Sequence, residues 1–352
     1  MRSVDVTQVD TGKDSTVARG NRQHQGGESS SEPPVWKRLA RQRELPLLVV
    51  IIMFGAIMTV ERADFLTVDN LTAVGIAIAS DAIVAVAMTA LLITGMFDLS
   101  VSSTLALSGV VTGILVINHG VALALAVGVA VLVGAAVGAV NGAIVTRLGV
   151  NPLITTFGML SAVSSVALLV SSGQPLSGFP SAFLYVGQHR VAHIPVAIIV
   201  VVAAVIVGQL VLRRTRFARQ LFYVGSNPQA ATLSGISVTW VRLIAFVAVG
   251  VAAALAGLLS TSRLGAAYPL AGTGTELRVI AACVIGGCSL SGGEGSIVGS
   301  FFGVVFMGLV TNALVLLNIN ISWQGFAYGA VLILAVGLDQ FGKRRRLRRS
   351  PS

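Results

Sequence analysis

Ten stretches of predominantly apolar sequence, most of them near the ~20 residues that a helix needs to cross bilayer hydrocarbon, leave this chain few ways to fold. Inside hydrocarbon every backbone N–H and C=O must find its partner within the protein, so only helices and closed barrels span. A barrel would read as short alternating strands, and these runs do not alternate. The expected fold class is therefore all-α, a polytopic membrane bundle of about ten transmembrane helices. Composition agrees. Of 352 residues 55% are hydrophobic and 11% charged, and the mean hydropathy is +0.87, a balance that no water-soluble core and shell accommodates.

Residues 1–44 are polar, rich in Ser, Gln, Gly and charge, and read as a disordered cytoplasmic tail. Their first apolar stretch begins at Leu45, too late for a cleavable signal. The transmembrane domain is placed at 45–341, with spans at 45–60, 71–94, 101–117, 121–146, 152–171, 194–212, 241–261, 276–290, 296–317 and 321–338. Only about a dozen uncharged apolar residues make up the eighth, which is expected to be short or re-entrant. A basic tail, 342–352, follows. Arg147, Arg213, Arg214, Arg216, Arg219 and the tail KRRRLRR share one side if both termini are cytoplasmic, while the outer loops keep Arg62, Arg190 and Arg263. The net charge of +10 thus faces anionic membrane lipid, and nucleic acid is not an expected partner.

Between the sixth and seventh spans, residues 213–240 carry a compact helix signal. Asn227 is an N-cap, Pro228 stands at N1 where its missing donor costs nothing, and Gly235 is the left-handed stop. Ala230, Ala231 and Leu233 give this helix a small apolar surface, and two turns are too short to be stable alone in water. Either the segment docks on something or it is a plain loop.

Gly134, Gly138 and Gly142 form one stripe of the fourth span, a spacing that lets a neighbouring backbone approach closely, and the pairs Gly299/Gly303 and Gly325/Gly329 repeat it. Two glycine-punctuated breaks, TGMFDLSVSS around Asp98 and GGCSLSGGEGS around Glu294, fall one in each half. They are either a pointer to a path through the bundle or ordinary cytoplasmic turns. A charge at membrane depth costs about 2.5–3.5 kcal/mol on insertion scales, so Asp81 must face a partner or water. Asp98, Glu276 and Arg278 lie nearer span ends, where snorkelling and transport are both open. Glu276 and Arg278 are two apart, on different helix faces. Asn141, Asn312 and Gln324 are expected to face a central cavity that suits a hydroxyl-rich substrate, or else to hydrogen-bond between helices.

Catalytic and metal patterns are missing. The four histidines give no HExxH, and no GxSxG accompanies a His and Asp pair. GLDQFGK at 337–343 has Arg344 where a phosphate-binding loop needs Ser or Thr. Cys283 and Cys288, five apart, are expected to project in different directions as packing residues, with no disulfide and no metal site. No cofactor and no catalytic residue are expected.

Several motifs, TGMFDLSVSSTLALSG, GAVNGAIVTRLGVNPLITTFGM, GSNPQAATLSGISVTWVRLIAF, AGTGTELRVIAACVIGGCSLSGGEGSIVGS and WQGFAYGAVLILAVGLD, together resemble the membrane permease subunits of bacterial ABC importers for ribose, xylose and related sugars, a group that includes autoinducer-2 permeases. The resemblance covers about residues 71–339. It implies a helix that docks at 227–235 in a separate cytoplasmic ATPase, an extracytoplasmic substrate-binding protein, a second permease subunit, and ATP hydrolysis outside this chain. Departures from the family's pattern fall at Asp81, Ser102, Gln229, Arg278 and Glu294. Two readings from other classes stand beside it: an ion-coupled secondary transporter using Asp81 and Glu276, and a scaffolding membrane protein.

Overall fold

The computed structural model describes residues 44–320 together with Trp323, Gly325, Phe326, Gly329, Ala330, Ile333 and Gly337. In chain order its helices are α1 (Glu44–Glu61), α2 (Val68–Ala77), α3 (Ala79–Ile93), α4 (Val101–Gly113), α5 (Leu123–Arg147), α6 (Pro152–Val170), α7 (Ser181–Gln188), α8 (Val196–Arg214), α9 (Arg216–Ser226), α10 (Pro228–Leu233), α11 (Val238–Leu264), α12 (Thr275–Ile285) and α13 (Ile297–Leu316). A π-turn, Ile114–Asn118, prolongs α4. Four two-residue strands form two antiparallel ladders, β1 (Leu176–Ser177) with β4 (Ala266–Ala267) and β2 (Arg190–Val191) with β3 (Ile194–Pro195), so the fold is mostly rather than wholly helical.

Six described helices are long and apolar enough to cross a membrane: α4 with its π-turn, α5, α6, α8, α11 and α13. Taken as one span bent by 50°, α2 and α3 make a seventh. The expected ten is therefore corrected among the described residues. α1 is apolar but falls short of the criterion, and α12 has only 11 residues before Gly286 and Gly287 turn the chain away. The tenth stretch, 321–338, falls almost wholly outside the described residues, and so do the tails up to 43 and from 342.

The α2–α3 bend has an identifiable support. Arg263 Nη1 on α11 donates to the Ile76 carbonyl at the bend, 3.2 Å away, and Ser80 Oγ donates to Ala256 O at 3.1 Å. A side chain thus satisfies a carbonyl where the helix ladder is interrupted.

Packing radiates from α11, which lies against α3, α4, α5 and α7. Its buried face is mostly small: Ala245, Val249, Gly250, Ala253, Ala256 and Gly257. Against α5 the contact is backbone on backbone. A Cβ at Gly134 would overlap Gly250 O, one at Gly138 would overlap Phe246 O, and one at Gly142 would sit 3.1 Å from Phe246 Cβ. α12 and α13 cross in the same way, with Gly303 against Ala282 O.

The Gly, Pro and Ser-rich connection before α8 contains α7. Ser262 Oγ of α11 donates to Phe183 O at 2.6 Å and accepts from Gly187 N at 2.8 Å, which clamps α7 on the end of α11. Phe179 and Phe183 stack with ring centroids 4.7 Å apart. Their spacing of four, continued to Gly187, was a helix signal within that loop.

Candidate functional site

Asp81, in the first turn of α3, faces Arg278 of α12. Arg278 Nε donates to Asp81 Oδ2 at 3.0 Å, and Arg278 Nη2 donates to Thr275 Oγ1 at 2.8 Å. The partner that Asp81 needed is thus a charge 197 residues further along. Sequence reasoning placed both charges near the pathway without joining them; the available signal was one anion and one cation, each in an otherwise apolar stretch.

Two cavities share this pair as a common wall. One, of about 380 Å³, lies between α2, α3, α12 and α13 and is lined by Ala77, Asp81, Arg278, Met307 and Asn312. A second, of about 420 Å³, opens toward the end of α11 and is lined by Ser80, Asp81, Arg263, Tyr268, Thr275 and Arg278. Both lie in the size range of small-molecule sites, ~300–1,000 Å³. Charge and hydroxyl are concentrated here in otherwise apolar surroundings.

The other expected pathway residues divide. Asn312 reaches the first cavity and is also held in a reciprocal amide pair, donating to Asn70 Oδ1 at 2.8 Å and accepting from Asn70 Nδ2 at 2.9 Å. Asn141 is wholly buried and away from both cavities. It donates to Asp98 Oδ2 at 3.1 Å and to Ser100 Oγ at 2.8 Å. It ties α5 to the first break. Asp98 is buried with it, its Oδ1 accepting from Ser100 N at 2.7 Å, and so organises the start of α4. Glu276, in the first turn of α12, lines neither cavity. Gln324 lies outside the described residues.

Cys283 and Cys288 do not point apart as expected. The turn at Gly286 and Gly287 folds Cys288 back, so that Cys288 Sγ lies 3.2 Å from Ser300 Oγ. Thr89 Oγ1 donates to the same Ser300 Oγ at 2.7 Å and sits 3.8 Å from Cys283 Sγ. Both thiols are free. Among the described residues no His, Cys, Asp and Glu group is arranged to hold a metal ion.

At the opposite end from Arg263, α10 has the expected ends. Asn227 Oδ1 accepts from Ala230 N at 3.0 Å, Pro228 stands at the first position, and Gly235 has φ +79° while Ile236 N closes on Ala231 O at 3.0 Å. The apolar surface is split, however. Ala230 and Leu233 face outward, Leu233 with 90% of its surface exposed, whereas Ala231 is buried in the protein's own core. Ala230 and Leu233 thus stand on the outer side of this helix and Ala231 on the inner side, because positions on one helical turn point in different directions. Ahead of α10, α9 was not foreseen. Thr215 Oγ1 caps Ala218 N at 3.1 Å, and Ala218, Leu221 and Val224, three apart, form its buried stripe.

Gly225 of α9 brings the two breaks together. A Cβ there would overlap Ile93 O at the end of α3 and meet Gly293 N of the second break. Gly293 N itself donates to Ile93 O at 2.8 Å. The breaks at Asp98 and Glu294 therefore meet each other and α9, and line neither cavity described above.

Removing one member of the ion pair leaves the other charge partly buried, since Arg278 and Asp81 side chains are only 26% and 17% exposed. Asp81→Ala is expected to lower stability by about 1–3 kcal/mol, less than for a fully buried pair because water reaches these atoms. Thermal unfolding in detergent reads this, and Asp81→Asn with Arg278→Gln should recover most of the loss. A double variant no more stable than Asp81→Ala would show that the pair is not the cause.

Comparison with known proteins places this geometry. Residues 70–336 match the family model described as branched-chain amino acid transport system / permease component. The chain is 37% identical over 300 residues to the L-arabinose transport system permease protein AraH of Escherichia coli (strain K12), covering 85% of this chain and 91% of that protein. It is 37% identical over 298 residues to the ribose import permease protein RbsC of Bacillus subtilis (strain 168), covering 84% and 91%. With the ribose import permease protein RbsC of Escherichia coli (strain K12) the identity is 36% over 308 residues, covering 86% and 94%. No solved structure matches the chain with statistical significance.

Proposed function

The chain belongs to the branched-chain amino acid transport system / permease component family, and from that premise we propose that it is the membrane subunit of an ATP-driven importer moving a sugar or sugar-like small molecule inward by alternating access. One observation carries the reading: 36–37% identity across nine-tenths of the length of arabinose and ribose permeases. The chain is not an enzyme, and ATP hydrolysis belongs to a separate subunit. Cytoplasmic ABC ATPase subunits take up the outward side of α10, a binding protein delivers substrate at the opposite end near α7 and Arg263, and a second permease subunit, identical or related, completes the pathway. Both termini are then cytoplasmic in a multi-pass inner membrane protein.

Closure of the ATPases would move α10, and the bundle would follow as a body to expose the Asp81–Arg278 cavities to one side or the other. An ion-coupled transporter built on Asp81 and Glu276 is less well supported, because Arg278 engages the Asp81 carboxylate and Glu276 lines neither cavity. Reconstitution with the ATPase and binding protein should give uptake that requires ATP. Uptake driven by a proton or sodium gradient without the ATPase would overturn the reading.

Ala230→Arg and Leu233→Asp should each abolish this uptake while the permease keeps its yield and thermal midpoint, because a charge that water solvates in the free subunit is buried without a partner on docking. Normal recovery of the ATPase with both variants would count against docking at α10. Ala231→Arg should behave differently and destabilise the permease itself, since that side chain is already buried.

A further inference from the structure

We propose that Asp81, Arg278 and Arg263 form a selectivity site for a monosaccharide that bears a carboxylate, an inference that rests on the importer reading above and narrows its substrate. The second cavity is lined by one acidic and two basic side chains, Asp81, Arg278 and Arg263. Asp81 is committed to Arg278. The guanidinium of Arg263 makes one described protein hydrogen bond, to the Ile76 carbonyl through Nη1, and no described carboxylate lies within ion-pair distance of it. Asp81 acts on Arg263 through space, but its carboxylate is engaged by Arg278, so two guanidinium groups share one anion at this wall and a second anion would be favoured there.

A neutral sugar could accept hydrogen bonds from either guanidinium but would leave the second positive charge of the lining unmatched. A sugar acid uses all of the lining. Its carboxylate takes the free edge of the Arg263 fork, where charge-assisted hydrogen bonds are strongest. Its hydroxyls donate to Asp81 and exchange with Ser80 and Thr275, and the ring covers Tyr268, which is 45% exposed beside them. The position of the ion pair adds a second step. Because Asp81 and Arg278 also line the first cavity, a carboxylate that moves from Arg263 to Arg278 competes with Asp81 for the same guanidinium and opens the wall between the cavities. An uncharged sugar does not compete in this way.

The experiment compares ligands that share one ring. Full-length permease in nanodiscs is titrated with D-galacturonate, D-galactose, D-galactose 6-phosphate and acetate, with binding read by saturation-transfer NMR. Galacturonate is expected to bind at least about tenfold more tightly than galactose, a difference that one charge-assisted pair supplies. Arg263→Gln should erase that preference and Arg263→Lys should keep part of it. Equal binding of galacturonate and galactose to the unmodified protein overturns the proposal, and so does a preference that survives in Arg263→Gln. Tighter binding of the 6-phosphate would make the ligand a phosphorylated sugar, and acetate binding as tightly as galacturonate would make the site one for a bare anion; both also overturn it. None of these readouts requires ATP or the partner subunits, so failure here is distinct from absence of ATP-dependent uptake.

Discussion

Gly138→Leu will prevent the permease from accumulating as a folded membrane protein, or will lower its thermal midpoint further than any lipid-facing substitution on the same helix. The cause is contact between backbones. A Cβ at Gly138 overlaps Phe246 O and reaches Phe246 C and Val247 Cα, and the reciprocal positions Gly134 and Gly250 overlap each other's carbonyls. No flexible side chain is present to yield. The helices α5 and α11 would have to separate, and α11 is the element against which α3, α4 and α7 also pack. Overpacking alone typically costs about 1–3 kcal/mol, and breaking the central crossing adds the contacts of its neighbours. Gly128→Leu, on the same helix with nothing within 4 Å of the added carbon, is the control and should leave the midpoint nearly unchanged. Equal midpoints for the two variants would show that the stripe is not a packing contact.

That stripe was legible because close approach leaves a local mark, a small residue every fourth position. The α10 helix was legible for a similar reason: its cap, its proline and its glycine stop lie within nine residues, 227–235. What the sequence concealed was long-range. Nothing near Asp81 names Arg278, and nothing near Asn141 names Asp98, since each partner is chosen by how the helices cross. Asn141 also shows why a polar residue inside a span is ambiguous. The same amide satisfies a cavity or another helix, and only packing decides. The span count suffered from a threshold effect, because α1 and α12 are apolar yet short, and hydropathy does not distinguish a short crossing from a helix that is packed inside the protein. α9 was missed because its apolar stripe is narrow and interleaved with Arg216, Arg219 and Gln220, which look like a solvated basic loop.

Gly225→Val is expected to separate ATP hydrolysis from transport, with uptake reduced at least about tenfold, a change of ~1.4 kcal/mol in the coupled step, while the ATPase still binds. Three backbones meet at Gly225 without a side chain between them: α9 itself, the end of α3 at Ile93, and the second break at Gly293. The hydrogen bond from Gly293 N to Ile93 O at 2.8 Å locks the two breaks together, and Gly292 packs on Gly95 N and Gly225 O. α9 runs into α10 through the shared residue Asn227, which caps one helix and begins the other. A push on α10 therefore reaches α3 and the segment leading to α13 through rigid contacts rather than through a mobile loop. α3 carries Asp81 near its other end, so the same displacement acts on the ion pair between the cavities. A branched side chain at Gly225 meets backbone as one at Gly138 does, so it should lower the thermal midpoint as well as hold the three segments apart, while the outward side of α10 is untouched and able to dock. The informative result is permease that co-purifies with its ATPase and supports ATP hydrolysis but takes up little substrate. Wild-type uptake in Gly225→Val would show that force does not pass through this joint; loss of ATPase binding together with uptake would show that the joint only holds α10 in place.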